Sequence, residues 1–250
     1  MDLGLKDKRV LVSGASRGIG RAIVELFVQE GAQVAFCARG AAGVEGAAAE
    51  LGPRAFGTAV DVTQPEQVAA WVTSAAQRMG GLDIVVPNVS ALAGGDDLDT
   101  WRRAFDTDLL GSAAMVKAAL PALRQSEAAS IVLISSVSGR EVDMFAEPYG
   151  ILKAALLHYG KTLSVRHAGE GIRVNSVSPG NVYFAEGVWG DIEREQPQTF
   201  AKCLADNPLG RMATPEEVAK AVVFLASPAA SFTTGTNLLV DGGLTRSVQF

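Results

Sequence analysis

Ser13-Gly14-Ala15-Ser16-Arg17-Gly18-Ile19-Gly20 lies where the short apolar run Arg9–Ser13 gives way to the helical pattern Gly18–Glu30. Glycines at such a junction let the backbone come close to a pyrophosphate. The N-terminus of the following helix turns unpaired N–H groups and the positive end of its dipole toward the same place. A strand, a glycine turn and a helix in that order open a βαβ unit. Gly14, Ser16, Arg17, Gly18, Ile19 and Gly20 are therefore candidate dinucleotide contacts, although tight strand-to-helix turns also use glycine for steric reasons alone.

Outward from this turn the same rhythm repeats. Apolar runs follow at Val34–Ala38, Ala55–Val60, Ile84–Val86, Ser130–Ser135, Ile172–Val177 and Asn237–Val240. Between them, helical spacing marks Pro65–Met79, Leu98–Leu123, Tyr149–His167 and Pro215–Leu225, with Pro121 expected to kink or end the second of these. The alternation predicts an α/β fold: a single-domain, Rossmann-like, doubly wound parallel sheet of about seven strands with helices on both faces, spanning 1–250. Tyr183–Pro208 breaks the rhythm beyond a strand's carboxyl end and reads as an irregular insertion serving as a substrate loop.

Composition narrows the function classes. The 22 Lys and Arg stand against 27 Asp and Glu, and no run of like charge suggests a nucleic-acid or membrane partner. No uncharged stretch reaches the roughly 18 residues of a membrane span, and the start has no apolar leader, so a cytosolic (cytoplasmic) protein is expected. Cys37 and Cys203 lack CxxC spacing and read as buried small apolar residues; with His158 and His167 also outside metal-ligand spacing, no metal site is expected.

At the end of the second strand, where a carboxylate would select a free ribose hydroxyl, the chain has Ala38 and then Arg39. Arg39 with Arg17 would grip a 2′-phosphate, which favours NADP(H) over NAD(H). Asp61, followed by Val62, reads from its place alone as a cap for the next helix. Tyr149 and Lys153 fall one helical turn apart, where a cation favours the proton-exchanging form of a phenol. Upstream, Ser136 ends a strand with a hydroxyl at the sheet's carboxyl edge, while Ser135 should face the other side.

In order and spacing, the glycine turn, Ser136, Tyr149 and Lys153 resemble the short-chain dehydrogenase/reductase family, classical type and 3-oxoacyl reductase-like. Further matches at Ile172–Gly180, Pro208–Arg211, Thr214–Val218 and Gly235–Gly243 extend the resemblance over essentially the whole chain. It implies that Tyr149 is the general acid/base, that Lys153 binds the nicotinamide ribose and tunes the tyrosine, and that Ser136 steadies the reacting oxygen. It also implies that Asn88, Pro179, Gly180 and the backbone of Val182 line the cofactor, and that Asp61, with Val62 after it, contacts the adenine, a reading on a par with the helix cap. Three departures stand out. The family's Asn-Asn-Ala-Gly is here Pro87-Asn88-Val89-Ser90, Phe184 replaces the usual Thr, and Asp108 stands where the catalytic set has Asn.

These readings make an oxidoreductase acting on a small carbonyl or secondary alcohol the leading expectation, in the manner of a ketoreductase. Alternatives are a 3-oxoacyl thioester substrate and a catalytically silent nucleotide-sensing protein of the same fold. Glu127 and Glu170, where a carrier-binding enzyme would place basic residues, tilt toward a free substrate. The long helices Leu98–Leu123 and Tyr149–His167 suggest a homotetramer. Asp108 is expected to act mainly through its main-chain carbonyl, so that Asp108→Asn would cost less than about tenfold in kcat/KM.

Overall fold

The structure, a computed structural model, describes residues 1–144 and 147–248. Strands β1 (Arg9–Ser13), β2 (Gln33–Ala38), β3 (Ala55–Ala59), β4 (Ile84–Val86), β5 (Ser130–Ile134), β6 (Arg173–Pro179) and β7 (Asn237–Val240) pair in parallel in the order β3-β2-β1-β4-β5-β6-β7. The seven-stranded sheet matches the predicted class. Its central strands are apolar almost throughout because both faces are covered. In β1, Val10 and Val12 join Phe27 of α1 (Gly18–Gln29) and Val222 of α9 (Pro215–Ala226). Leu11 points the other way, into a cluster with Trp71 of α3 (Pro65–Met79) and Met115 of α5 (Gly111–Leu123). The chain reverses its winding between β1 and β4, so the crevice at their carboxyl ends is the place where such sheets hold ligands. Asp83 fixes this junction from the far end: it accepts from the Arg9 backbone N and from Arg9 Nε and Nη2, and from Ser126 Oγ.

Three expectations need correction. A helix α2 (Ala41–Leu51) was not anticipated; it buries only Val44, Ala47 and Leu51 among outward alanines and glycines. The predicted helix Leu98–Leu123 is three pieces: α4 (Leu98–Ala104), a π-helical turn (Phe105–Leu110), then α5, which contains Pro121 and ends two residues after it. Tyr183–Pro208 is not irregular but carries α7 (Val188–Glu195) and α8 (Pro197–Ala205). Trp189, Ile192, Phe200 and Leu204 of these helices form a small core of their own with Met212, and their i,i+3 and i,i+4 spacing was the available signal.

Candidate active site

Gly14 (φ +68) and Gly18 (φ +57) hold left-handed conformations in the turn. Gly20 serves room rather than conformation: a Cβ there would lie 2.3 Å from Gly14 O. The turn is tied to the end of β4 by Asn88, whose Nδ2 donates to Ser13 O (3.1 Å) and Gly14 O (3.0 Å). Ser13 Oγ accepts in return from the backbone N–H groups of Asn88 and Val89. Asn88 is thus a scaffold of the turn, and the hydroxyl at position 13 is what the β4 end hangs on.

Arg17 sits at the N-cap of α1 and Arg39 follows β2, both exposed. The Arg17 guanidinium donates to Glu186 O at 2.8 Å, and the ring of Phe184 packs over Gly18, where a Cβ would meet Phe184 Cζ at 2.6 Å. The start of the 183–208 segment therefore lies directly on the glycine turn. Ser16 faces α2, 3.6 Å from where a Gly43 Cβ would stand. Asp61 Oδ1 accepts from Thr63 N and Thr63 Oγ1, closing its own turn, while Gln64 is the N-cap of α3. Val62 is buried against Gly111 of α5, so its side chain is committed to the core and only its backbone remains for a ligand. Gly180 follows Pro179 at the end of β6 and passes so near Asp241 that a Cβ would meet Asp241 Cα at 2.9 Å. Val182 bridges Ala213 in parallel, using Asn181 O and Tyr183 N.

The chemistry-bearing side chains gather at the neighbouring strand end. Ser136 leaves β5 buried, its Oγ accepting from Ser138 N and lying 3.2 Å from Ser138 Oγ, which donates to Asp143 Oδ2 at 2.6 Å. Sequence reasoning passed over Ser138 and Asp143; a second hydroxyl two residues after Ser136 was the signal. Ser135 faces the other way, as strand alternation requires, and donates to Lys153 O at 2.8 Å. Tyr149 and Lys153 stand on α6 (Tyr149–His167) with Lys153 Nζ 5.5 Å from the Tyr149 ring centroid. Lys153 is 2% exposed; an ammonium so deep needs partners. It donates to Ile134 O (3.2 Å) and lies 3.3 Å from Asp108 Oδ1.

Asp108 lies within the π-helical turn, a local form that recurs at functional sites. Its carbonyl accepts from Ser112 Oγ (2.7 Å), while its carboxylate accepts from Ser90 Oγ (2.5 Å) and Ala91 N (2.8 Å) and faces Lys153. The expectation placed the weight on the carbonyl, which here is taken by Ser112 Oγ. The carboxylate is the group in contact with Lys153.

Beyond Ser136, a cleft of about 600 Å³ is lined by Val137, Asp143, Met144, Asn181, Trp189 and Cys203. Cys203 is only partly buried, contrary to expectation; burial and the nearby Asp206 push its thiol up. Cys37 is fully buried in β2, and burial takes its thiol up to about 12. Tyr183, next to the cleft, donates to Glu193 Oε2, a bond that pushes its phenol up.

The family model described as "Enoyl-(Acyl carrier protein) reductase" matches residues 14–245. Isoepoxydon dehydrogenase of Penicillium expansum is 41% identical over 256 residues, covering 99% of this chain and 98% of its own. The cis-4-hydroxycyclohexanecarboxylate dehydrogenase of Sinomonas cyclohexanicum is 37% identical, covering 96% and 97%. Among solved structures, L-sorbose reductase from Gluconobacter frateurii, complexed with NADPH and L-sorbose, aligns with a TM-score of 0.91 at 29% identity, covering 99% of this chain and 100% of that one. Among the described residues, no helix is long and apolar enough to cross a membrane.

Proposed function

The chain belongs to the short-chain dehydrogenase/reductase family of oxidoreductases, and on that footing we propose that it moves a hydride between NADP(H) and a small free ketone or secondary alcohol. The observation that carries this reading is Lys153, buried one turn from Tyr149 on α6 and bonded to Ile134 at the end of β5, two residues before Ser136. A buried lysine on a catalytically silent scaffold would be a liability without a task, which disfavours the nucleotide-sensing alternative.

The residues present fit a dinucleotide. Gly14 and Gly18 hold the left-handed conformations that shape the turn, Gly20 lets it close on Gly14 O, α1 starts there, and the exposed Arg17 and Arg39 are the cations available to a 2′-phosphate. The bridge to Ala213 uses Asn181 O and Tyr183 N, so Val182 turns its own amide and carbonyl the other way, toward a carboxamide. Pro179 and Gly180 bring that segment to the sheet edge, and Asp61 with the Val62 backbone borders the adenine side. The ring of Phe184 must leave Gly18 for the phosphates to enter.

When bound, the nicotinamide supplies or accepts the hydride. In the reducing direction Ser136 Oγ donates to the carbonyl oxygen, and Tyr149 Oη transfers its proton to that oxygen as the carbon gains hydride. Lys153 Nζ would hold the ribose hydroxyls beside the phenol. Oxidation runs the same steps backward, with Tyr149 taking the proton.

For the substrate, the cleft's volume suits a ring-sized molecule, and Asp143 and Thr199 give hydroxyl partners beside apolar Trp189 and Met144. The substrates named for the relatives, a hydroxycyclohexanecarboxylate and L-sorbose, are of this kind. A carrier-borne 3-oxoacyl thioester fits less well: Arg124, a cation that would meet an acidic carrier, is held by Glu170 at 2.8 Å. Exposed Phe105, Leu110, Ile151 and Val165 on the helices beside the site support a homotetramer. The test is a panel of cyclic ketones, sugars and alcohols followed by NADPH absorbance in wild type and Tyr149→Phe. Loss of at least about 10²-fold in turnover supports the reading; equal turnover in the two proteins overturns it.

A further inference from the structure

Two of the chain's departures from the family pattern touch each other. Ser90, at the family's glycine, donates to Oδ1 of Asp108, at the family's asparagine. We propose that Ser90 and Asp108 form one positioning unit for Lys153, each requiring the other; this rests on Lys153 having the task assigned above.

The chemistry of the donor set requires the carboxylate. Three donors converge on it: the Ser90 hydroxyl, the Ala91 N–H and the Lys153 ammonium. A carboxylate accepts at both oxygens, whereas an amide accepts at one and donates at the other. Asparagine at this place would turn its NH₂ either against the Ala91 N–H or against Lys153. The site therefore reads a negative charge, and Ser90 is the neutral group that fixes which way it faces.

The loop carrying Ser90 is built to present it. Ser90 Oγ also accepts from Leu92 N at 3.1 Å, and Leu92 adopts φ +45, a left-handed conformation that non-glycine residues avoid. One hydroxyl thus closes the turn and orients the carboxylate. At the other end, the Asp108 backbone is pinned by Ser112 Oγ, so the carboxylate is held from both the β4 loop and the π-helical turn. Lys153 Nζ, with Ile134 O as its second anchor, has its position set by these two contacts.

The experiment is a double-mutant cycle of Ser90→Ala, Asp108→Asn and the pair, reading kcat, KM and NADPH affinity, with thermal melts to verify folding. Ser90→Ala is expected to lower kcat about tenfold, the worth of a hydrogen bond to a charged group, with little change in substrate KM. Asp108→Asn is expected to lower it by about 10²-fold, the cost of a misplaced catalytic group. In the Asp108→Asn background, Ser90→Ala should cost less than about twofold, because its route to Lys153 is already cut. Ser90→Thr, which keeps the hydroxyl, should retain most of the wild-type kcat. If Ser90→Ala does not fold, Ser90→Gly takes its place in the cycle. Equal factors for the Ser90 change in both backgrounds, a folded Ser90→Ala with wild-type kcat, or an Asp108→Asn loss below tenfold would each overturn the unit. Wild-type turnover in Tyr149→Phe would instead remove the mechanism itself, and that result is independent of the cycle.

Discussion

Gly139→Ala tests how closely the catalytic helix is seated. Gly139 ends the short 3₁₀ turn Val137–Gly139 that follows Ser136, and its backbone lies on α6. A Cβ at this position would stand 2.7 Å from Ala154 N, 2.7 Å from Lys153 C and 3.0 Å from Lys153 O. All three are backbone atoms of a hydrogen-bonded helix, so no side-chain rotation relieves the contact. Restoring ordinary separations of about 3.5 Å requires the turn and the helix to part by roughly 0.8 Å. Overpacking of this kind costs about 1–3 kcal/mol, which at this chain length is a fall of roughly 3–10 °C in Tm. The displaced helix carries both Tyr149 and Lys153 away from Ser136, and misplacement approaching 1 Å costs on the order of 10²-fold in rate. A melt, together with NADPH oxidation on the best ketone of the substrate panel, measures both. A Tm within about 1 °C of wild type and a kcat within about twofold would refute the close seating of the turn on α6.

Arg39→Asp should reverse the cofactor preference, weakening NADPH by about 10–100-fold while improving NADH, as fluorescence titration would show; a wild type that prefers NADH refutes the assignment of Arg39. Burial pushes the Asp83 carboxyl up, but the hydrogen bonds from Arg9 and Ser126 outweigh it and hold the group below the usual carboxylate range. Its stabilising contribution is therefore complete above the unfolded value of about 3.9 and is lost as pH falls through the lower folded value. Melts of wild type and Asp83→Asn should accordingly differ most near neutrality and converge below about pH 4, and a constant gap would remove Asp83 from the acid limb. Sedimentation at micromolar concentration should give a species four times the chain mass; a monomer would dispose of the helix-to-helix assembly.

The sheet was legible because its signal is local. A buried parallel strand is a short apolar run, and the turn Ser13–Gly20 marks the passage from the first strand to the first helix. The places of Tyr149 and Lys153, one turn apart on α6, and of Ser136, just past β5, were legible for a related reason, since spacing along one helix and one strand reports them; the roles proposed for them came from the resemblance. Helix α2 was hidden because alanine and glycine fill most of both its faces, leaving only Val44 and Leu51 against Glu45 and Glu50 as contrast. The π-helical turn was hidden because the apolar spacing of Leu98–Leu123 runs on through it, and the contacts that fix the turn come from elsewhere in the chain. The contact between Ser90 and Asp108 spans 18 positions and belongs to no local period, so only the folded chain displays it.

On the proposed assignment of the glycine turn to the phosphates, Phe184 packed on Gly18 and Glu186 held by Arg17 give one patch of surface two claimants, a segment of the protein and the dinucleotide. The observed dissociation constant is then the intrinsic one divided by the fraction of molecules whose loop has withdrawn. Affinity becomes a property of residues 183–187 as much as of the turn they cover. Substitutions there would retune the nucleotide concentration at which the enzyme half-fills without altering a single contact in the complex.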